Sequence, residues 1–225
     1  YTVNGNYDRA FELCLEAVAE RGWYSRSTGH NPFCGEGKKT AALALIEQAE
    51  GRIPDFIFVP VGDGCILGGM HKGLVDLQRI GRLAKMPRLV AVQAEGSAAI
   101  ADAWKSGESI NAVKANTLAD SIAVDLPRDS DKALRALRDT DGFAITVNDG
   151  EILAAIRDLA SREGVFAEPA AAAALAGLRK VLATGQASPE ADMVAMVTGH
   201  GLKDPGALDP LVGESPVVAS LKDLP

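Results

Sequence analysis

The sequence predicts an α/β protein, a three-layer open parallel sheet with helices on both faces. Two observations carry that reading. Short apolar runs bounded by turn residues (DFIFVPV at 55–61, PRLVAVQ at 87–93, FAITV at 143–147, ADMVAMVTG at 191–199) alternate with segments of helical spacing. Runs of this kind suit strands buried on both sides, and their alternation with helices builds βαβ units whose strands lie parallel. The composition agrees: 47% hydrophobic and 24% charged residues over 225 positions describe a globular chain long enough to bury a sizeable core.

Taken in order, YTVNGNYD at 1–8 reads as the end of a strand followed by a turn, so the sequence opens in the middle of a domain. Asp8 is placed to cap a helix running through Glu20, with Phe11, Leu15 and Val18 on one face and Gly22 just past its end. Residues 23–37, WYSRSTGHNPFCGEG, hold polar turn formers and glycine and read as a long loop. A helix follows from Lys39 to Glu50, with Leu43, Ile46 and Ala49 on one side. The strand at 55–61 leads to a helix over 66–80, and the strand at 87–93 to a helix over 97–106. The stretch 107–131 is polar and irregular, a loop or covering segment. After the strand at 143–147, Asn148 or Asp149 with Glu151 caps a helix that ends at Gly164. An alanine-rich helix spans 169–183 and the strand at 191–199 closes the pattern. The tail 205–225 holds four prolines and either packs on the surface or is partly disordered.

Composition also excludes function classes. Thirty acidic residues against 23 basic ones give a net charge of −7. No Lys/Arg cluster for a phosphate backbone occurs, so nucleic acid is excluded as a partner. The longest apolar runs, 170–175 and 194–197, fall far short of the roughly 20 residues that span a bilayer. With no signal peptide or polybasic anchor, the chain reads as cytosolic. Cys14, Cys34 and Cys65 are widely spaced and form no CxxC, so neither a disulfide framework nor a zinc site is expected. His30, His71 and His200 lack metal-ligand spacing and read as surface or hydrogen-bonded residues. No metal is expected.

The most informative segment is VPVGDGCILGGMHKGL at 59–74. A buried strand runs into Gly62-Asp63-Gly64, and a helix begins near Ile66. Glycines allow a sharp turn and a close backbone approach, and a helix N-terminus adds partial positive charge; together these can cradle a phosphate. The alternative is a plain strand–helix turn in which the glycines only meet backbone angles. The spacing is not the dinucleotide fingerprint. In MVTGHGLKD at 196–204, a strand ends in Thr198, whose hydroxyl can either direct one hydrogen bond to a ligand ring or cap the turn. Glu168 precedes Pro169 at a helix start, where a carboxylate fits the helix dipole without any further role; Glu36 has the same reading. Cys65 is either a low-pKa thiol at a helix N-terminus or a small buried side chain.

These segments, with NPFCGEGKKTAALALIEQ, PRLVAVQAEG, TLADSIAVDLP, EILAAIRDLASREGVFAEPAAAAALAGL and VTGHGLKD, together resemble the C-terminal part of threonine synthases. Those enzymes belong to the fold type II (β-family) pyridoxal-phosphate enzymes. The likeness covers about residues 1–205. It implies a remnant of a small domain at 1–30, a large cofactor-binding domain at 31–205 and a C-terminal tail at 206–225. It implies pyridoxal 5′-phosphate as cofactor, its phosphate held by the backbone of Gly62, Asp63, Gly64, Cys65 and Ile66, and its pyridine nitrogen hydrogen-bonded by Thr198. The implied reaction converts O-phosphohomoserine and water to threonine and phosphate. A threonine or serine ammonia-lyase is the rival within the fold, and cysteate synthase another relative; a non-catalytic phosphate-ligand module is the alternative outside it. The resemblance further implies a cytoplasmic enzyme acting on a small amino acid, often as a homodimer.

Two departures stand out. The family turn usually reads G-N-x-G-N, whereas this chain has Asp63, Cys65 and Ile66. Asp63 is electrostatically awkward beside a phosphate unless its side chain points away and caps the helix. The family's Schiff-base lysine lies in an N-terminal stretch without a counterpart here, and Lys38, Lys39, Lys72 and Lys203 occupy other motif positions. No catalytic residue is therefore assigned, and the chain is expected to be a catalytically incomplete piece with exposed sheet and core surface.

Overall fold

The computed structural model describes residues 1–212. Its centre is a four-stranded parallel sheet of β1 (Phe56–Pro60), β2 (Arg88–Ala94), β3 (Phe143–Val147) and β4 (Met193–Ala195), in the order β3-β2-β1-β4. Phe56 pairs with Arg88 and with Met193, and Val90 pairs with Phe143. Side chains of β1 alternate between two cores, because successive residues of a strand point to opposite faces. Phe56 and Phe58 join Val90, Val92 and Val147 under α6 (Asp149–Glu163) and α7 (Pro169–Ala183). Ile57 and Val59 join Leu89, Ala91, Met70, Leu74 and Leu137 under α3 (Cys65–Arg79) and α5 (Ser130–Asp139). The three expected layers are present.

The strands at 55–61, 87–93 and 143–147 and the helices at 66–80, 148–163 and 169–183 lie within about a residue of expectation. The α6 cap is a complete capping box: the Asn148 side chain accepts from Glu151 N–H, and the Glu151 carboxylate accepts from Asn148 N–H. The helix at 97–106 begins later, with α4 at Ala99–Ser106.

Five expectations need correction. Residues 1–6 form no strand, and α1 (Tyr7–Arg21) is capped by Asn6 rather than Asp8, whose carboxylate instead pairs with Arg128. The loop at 23–37 ends early, because Asn31 caps α2 (Pro32–Gln48) and Pro32 occupies its first turn. Gly29 stays in the turn before it, but Gly35 and Gly37 sit in a helix that packs closely on α3: a Cβ on Gly73 would lie 2.9 Å from the Lys39 carbonyl oxygen. Helix α5 was not anticipated, and it starts at the end of the stretch read as irregular. The last strand is short, three residues rather than nine, with one further ladder bond from Met196 N–H to the Phe58 carbonyl. Of the expected tail, 206–212 forms a short helical turn and the remainder lies outside the described residues. No described helix is long and apolar enough to cross a membrane.

Candidate functional site

Beyond the carboxyl ends of β1 and β4 lies a cavity of about 390 Å³. In open α/β sheets ligands bind at this end of the strands, and the volume falls within the usual range for small-molecule sites. Gly62, Asp63, Gly64, Cys65, Ile66 and Thr198 all line it, so residues 132 or more positions apart in sequence meet at one place. Tyr7, Thr28, Lys38, Ser121, Glu168 and Lys203 complete the walls that matter here.

The glycine turn is dictated by its protein neighbours as much as by any ligand. A Cβ on Gly62 would stand 3.0 Å from Ile122 Cα. Gly64 has φ +93°, and a Cβ there would stand 2.9 Å from the Asp129 carbonyl oxygen. Only glycine meets both conditions at position 64. The tight turn delivers the first turn of α3 to the cavity wall. Among the described residues, no protein acceptor meets the N–H groups of Cys65, Ile66 or Leu67. Three unpaired donors at the positive end of a helix can hold an anion.

Asp63 turns its carboxylate away from those donors. One oxygen accepts from Tyr7 O–H at 2.6 Å and the other from Arg128 N–H at 3.0 Å. It does not cap α3, whose N-cap Gly64 has no side-chain bond, so that half of the expectation is corrected. Cys65 is 6% exposed, and burial together with its hydrogen bond to Asp129 pushes the thiol up to about 12. Burial and the neighbouring Asp129 disfavour the thiolate, which goes against the low-pKa reading. Ile66 is half-buried on the same wall.

Thr198 is exposed at the mouth of the cavity, and its hydroxyl has no partner among the described residues. It does not cap the turn; the His200 side chain does, accepting from Leu202 N–H at 3.1 Å. From Thr198 the chain leaves the sheet and docks on the residues before α7. Glu168 N–H donates to the Gly199 carbonyl at 3.0 Å and Gly201 N–H to the Phe166 carbonyl at 2.8 Å.

Glu168 does more than complement a helix dipole. It is 3% exposed, makes no capping bond, and turns its carboxylate into the cavity wall. There Lys203 Nζ lies 3.1 Å from Oε2 and also donates to Ser121 Oγ at 2.8 Å. Sequence reading missed Lys203, Ser121 and Tyr7 as site residues, because their partners lie far away along the chain. Glu36 stays outside the cavity. It binds Lys39 and Lys72 on the α2–α3 surface, and these neighbouring ammonium groups hold its carboxyl below the usual range. Lys38, the remaining lysine of that run, lines the cavity and has no acidic partner among the described residues. The described residues contain no group of three His, Cys, Asp or Glu able to hold a metal ion.

A family model described as "Pyridoxal-phosphate dependent enzyme" matches residues 1–199. Threonine synthase from Methanosarcina acetivorans is 36% identical over 219 residues, covering 96% of this chain and 54% of that protein. Threonine synthase from Methanocaldococcus jannaschii is 35% identical over 207 residues, 91% of this chain and 51% of that protein. The chain thus spans about half the length of the curated relatives it matches. Among solved structures, a fungal L-serine ammonia-lyase from Rhizomucor miehei superposes with a TM-score of 0.70 at 26% identity, covering 86% of this chain and 62% of that one. Diaminopropionate ammonia lyase from Escherichia coli superposes with a TM-score of 0.74 at 18% identity over 93% of this chain and 58% of that one, a likeness of fold alone.

Proposed function

The chain belongs to the pyridoxal-phosphate dependent enzymes, and on that premise we propose that it is the cofactor-binding part of a threonine-synthase-type lyase. The reaction would convert O-phosphohomoserine and water to threonine and phosphate. One observation carries the reading: the N–H groups of Cys65, Ile66 and Leu67 and the hydroxyl of Thr198, all without a partner among the described residues, face one cavity of fitting size. The residues present fit the cofactor. The α3 N-terminus would bind its phosphate through backbone donors at Gly62–Ile66, and Asp63, tied to Tyr7 and Arg128, keeps its charge out of the way. Thr198 would orient the pyridine ring by a hydrogen bond from its hydroxyl to the nitrogen, a neutral contact that leaves that nitrogen unprotonated. Bound there, pyridoxal phosphate supplies an electron sink for carbanions formed on the amino-acid substrate. Lys38 supports an anionic substrate, since it brings an ammonium with no acidic partner among the described residues to the wall next to the α3 donors.

In this reading residues 31–205 form the large domain of a cytoplasmic biosynthetic enzyme, residues 1–30 belong to its small domain, and the covalent lysine comes from outside residues 1–225. The ammonia-lyase alternative draws on the Rhizomucor miehei likeness. Assays of the full-length protein separate the two. Phosphate release from O-phosphohomoserine is expected; ammonia from threonine or serine without phosphate release would overturn the reading. Gly64→Asp is expected to abolish pyridoxal-phosphate binding, because it puts a side chain and a charge against Asp129 at the phosphate turn.

A further inference from the structure

Glu168 is a buried carboxylate in a cavity that, in the reading above, holds an anionic cofactor, and a buried carboxylate needs a partner. The turn that brings the partner is already fixed without it. Main-chain bonds join Glu168 to Gly199 and Phe166 to Gly201, and Ala167 bridges to His200. The glycines of this turn make room for particular side chains. A Cβ on Gly201 would stand 2.6 Å from the Phe166 ring, and one on Gly199 would overlap Glu168 Oε1. The turn is shaped around the carboxylate, not merely held by it.

We propose that Glu168 and Lys203, with Ser121 between them, are positioning residues for the Thr198 end of the cofactor ring. Lys203 Nζ reaches both carboxylate oxygens, at 3.1 and 3.4 Å, while Ser121 Oγ accepts from Lys203 at 2.8 Å and faces Glu168 Oε2 at 3.3 Å. The pair locks the carboxylate against Gly199, the residue after Thr198, and cancels its charge where the ring nitrogen is to meet a neutral hydroxyl. Among the described residues, the other charged side chains lining the cavity are Lys38, Asp63 and Asp120, and none forms an ion pair with Glu168 or Lys203. The proposal rests on the cofactor reading, and it assigns the two charged residues that surround the ring contact and not the contact itself.

The test uses the full-length protein loaded with pyridoxal phosphate and reads the absorption maximum of the bound cofactor and its dissociation constant. Lys203→Met leaves the carboxylate uncompensated and is expected to weaken cofactor binding about tenfold, the equivalent of about 1.4 kcal/mol, and to displace the absorption maximum. Glu168→Gln leaves the ammonium uncompensated and displaces the maximum in the opposite direction. The double variant returns toward wild type, and Lys203→Arg restores both readouts. If Lys203→Met lowers only the thermal midpoint, with absorption and affinity at wild-type values, the pair is a structural lock and this proposal falls alone. Wild-type protein that binds no pyridoxal phosphate, or binding unaffected by Gly64→Asp, overturns the cofactor reading and this one with it.

Discussion

Helices α1 and α7 are both fifteen residues long, yet they are held in opposite ways. Helix α7 buries nine residues, Ala170 through Ala174 among them, and lies so close to the sheet that a Cβ on Gly177 would stand 2.5 Å from Val92 Cγ2. Helix α1 buries none. Phe11, Leu15 and Val18 are only half-buried, and its N-terminus is attached by polar contacts: Asn6 to Asp125, Tyr7 to Asp63 and Asp8 to Arg128. Arg128 also stacks over the Phe11 ring at 4.7 Å. Burial of apolar area scales with contact and is insensitive to charge, whereas polar docking depends on each partner and its protonation. One helix is part of the core; the other is attached to the cavity wall through the residue that precedes Gly64.

The comparison breaks most visibly if α7 loses its fit. Gly177→Leu forces a large side chain into Val92 and should cost about 3 kcal/mol of global stability, read as a lower urea midpoint. A wild-type midpoint would mean that α7 can lift off the sheet. Arg128→Met removes the partner of Asp8, whose side chain is 15% exposed, and should loosen α1 by about 2 kcal/mol while the urea midpoint stays near wild type. The readout is faster amide hydrogen exchange confined to 7–21; equal acceleration in α7 would show that the two helices open as one unit.

A smaller effect comes from pH. Burial, then the hydrogen bond and charge of Asp63, raise the Tyr7 phenol above its ordinary value of 10.0. A raised folded-state value means that this stabilisation is complete below pH 10 and declines as pH rises beyond it. Protection of the α1 amides, their exchange taken relative to the intrinsic base-catalysed rate, should therefore fall above pH 10, by about two- to threefold per pH unit rather than tenfold, because Tyr7 is 43% exposed. Tyr7→Phe should abolish the dependence, and persistence of the slope in that variant would assign it elsewhere. The buried face of α7 carries no titratable group and should show no such slope. Smallest of all, Arg9→Ala removes exposed pairs with Glu12 and Glu16 and should leave both the midpoint and α1 exchange unchanged; a measurable change would make the outer face of α1 a docking surface too.

The same contrast explains what was legible beforehand. The strands that end at Pro60 and Ala94 were readable because burial on both sides leaves local apolar runs. The edge strand ending at Val147 was readable because its run FAITV is still largely apolar, and helices α6 and α7 because Asn148, Glu151, Gly164 and Pro169 are local boundary signals. Helix α5 was legible but overlooked: SDKALRALRD sets Ala133, Leu134, Ala136 and Leu137 on one face at helical spacing, yet its ten residues are short and half of them are charged. Asp8 was misread as a cap because its true partner, Arg128, lies 120 residues away.

At the site, the sequence by itself determined the backbone elements: a buried strand, a glycine turn, a helix start, and a threonine at a strand's end. These follow from local sterics and hydrophobic period, which need no knowledge of distant neighbours. Tertiary structure alone decided which side chains face one another there. Asp63 meets Tyr7 across 56 positions and Lys203 meets Glu168 across 35. Charge pairing over such separations leaves no pattern in the chain, because the distance between partners exists only once the sheet has brought them together.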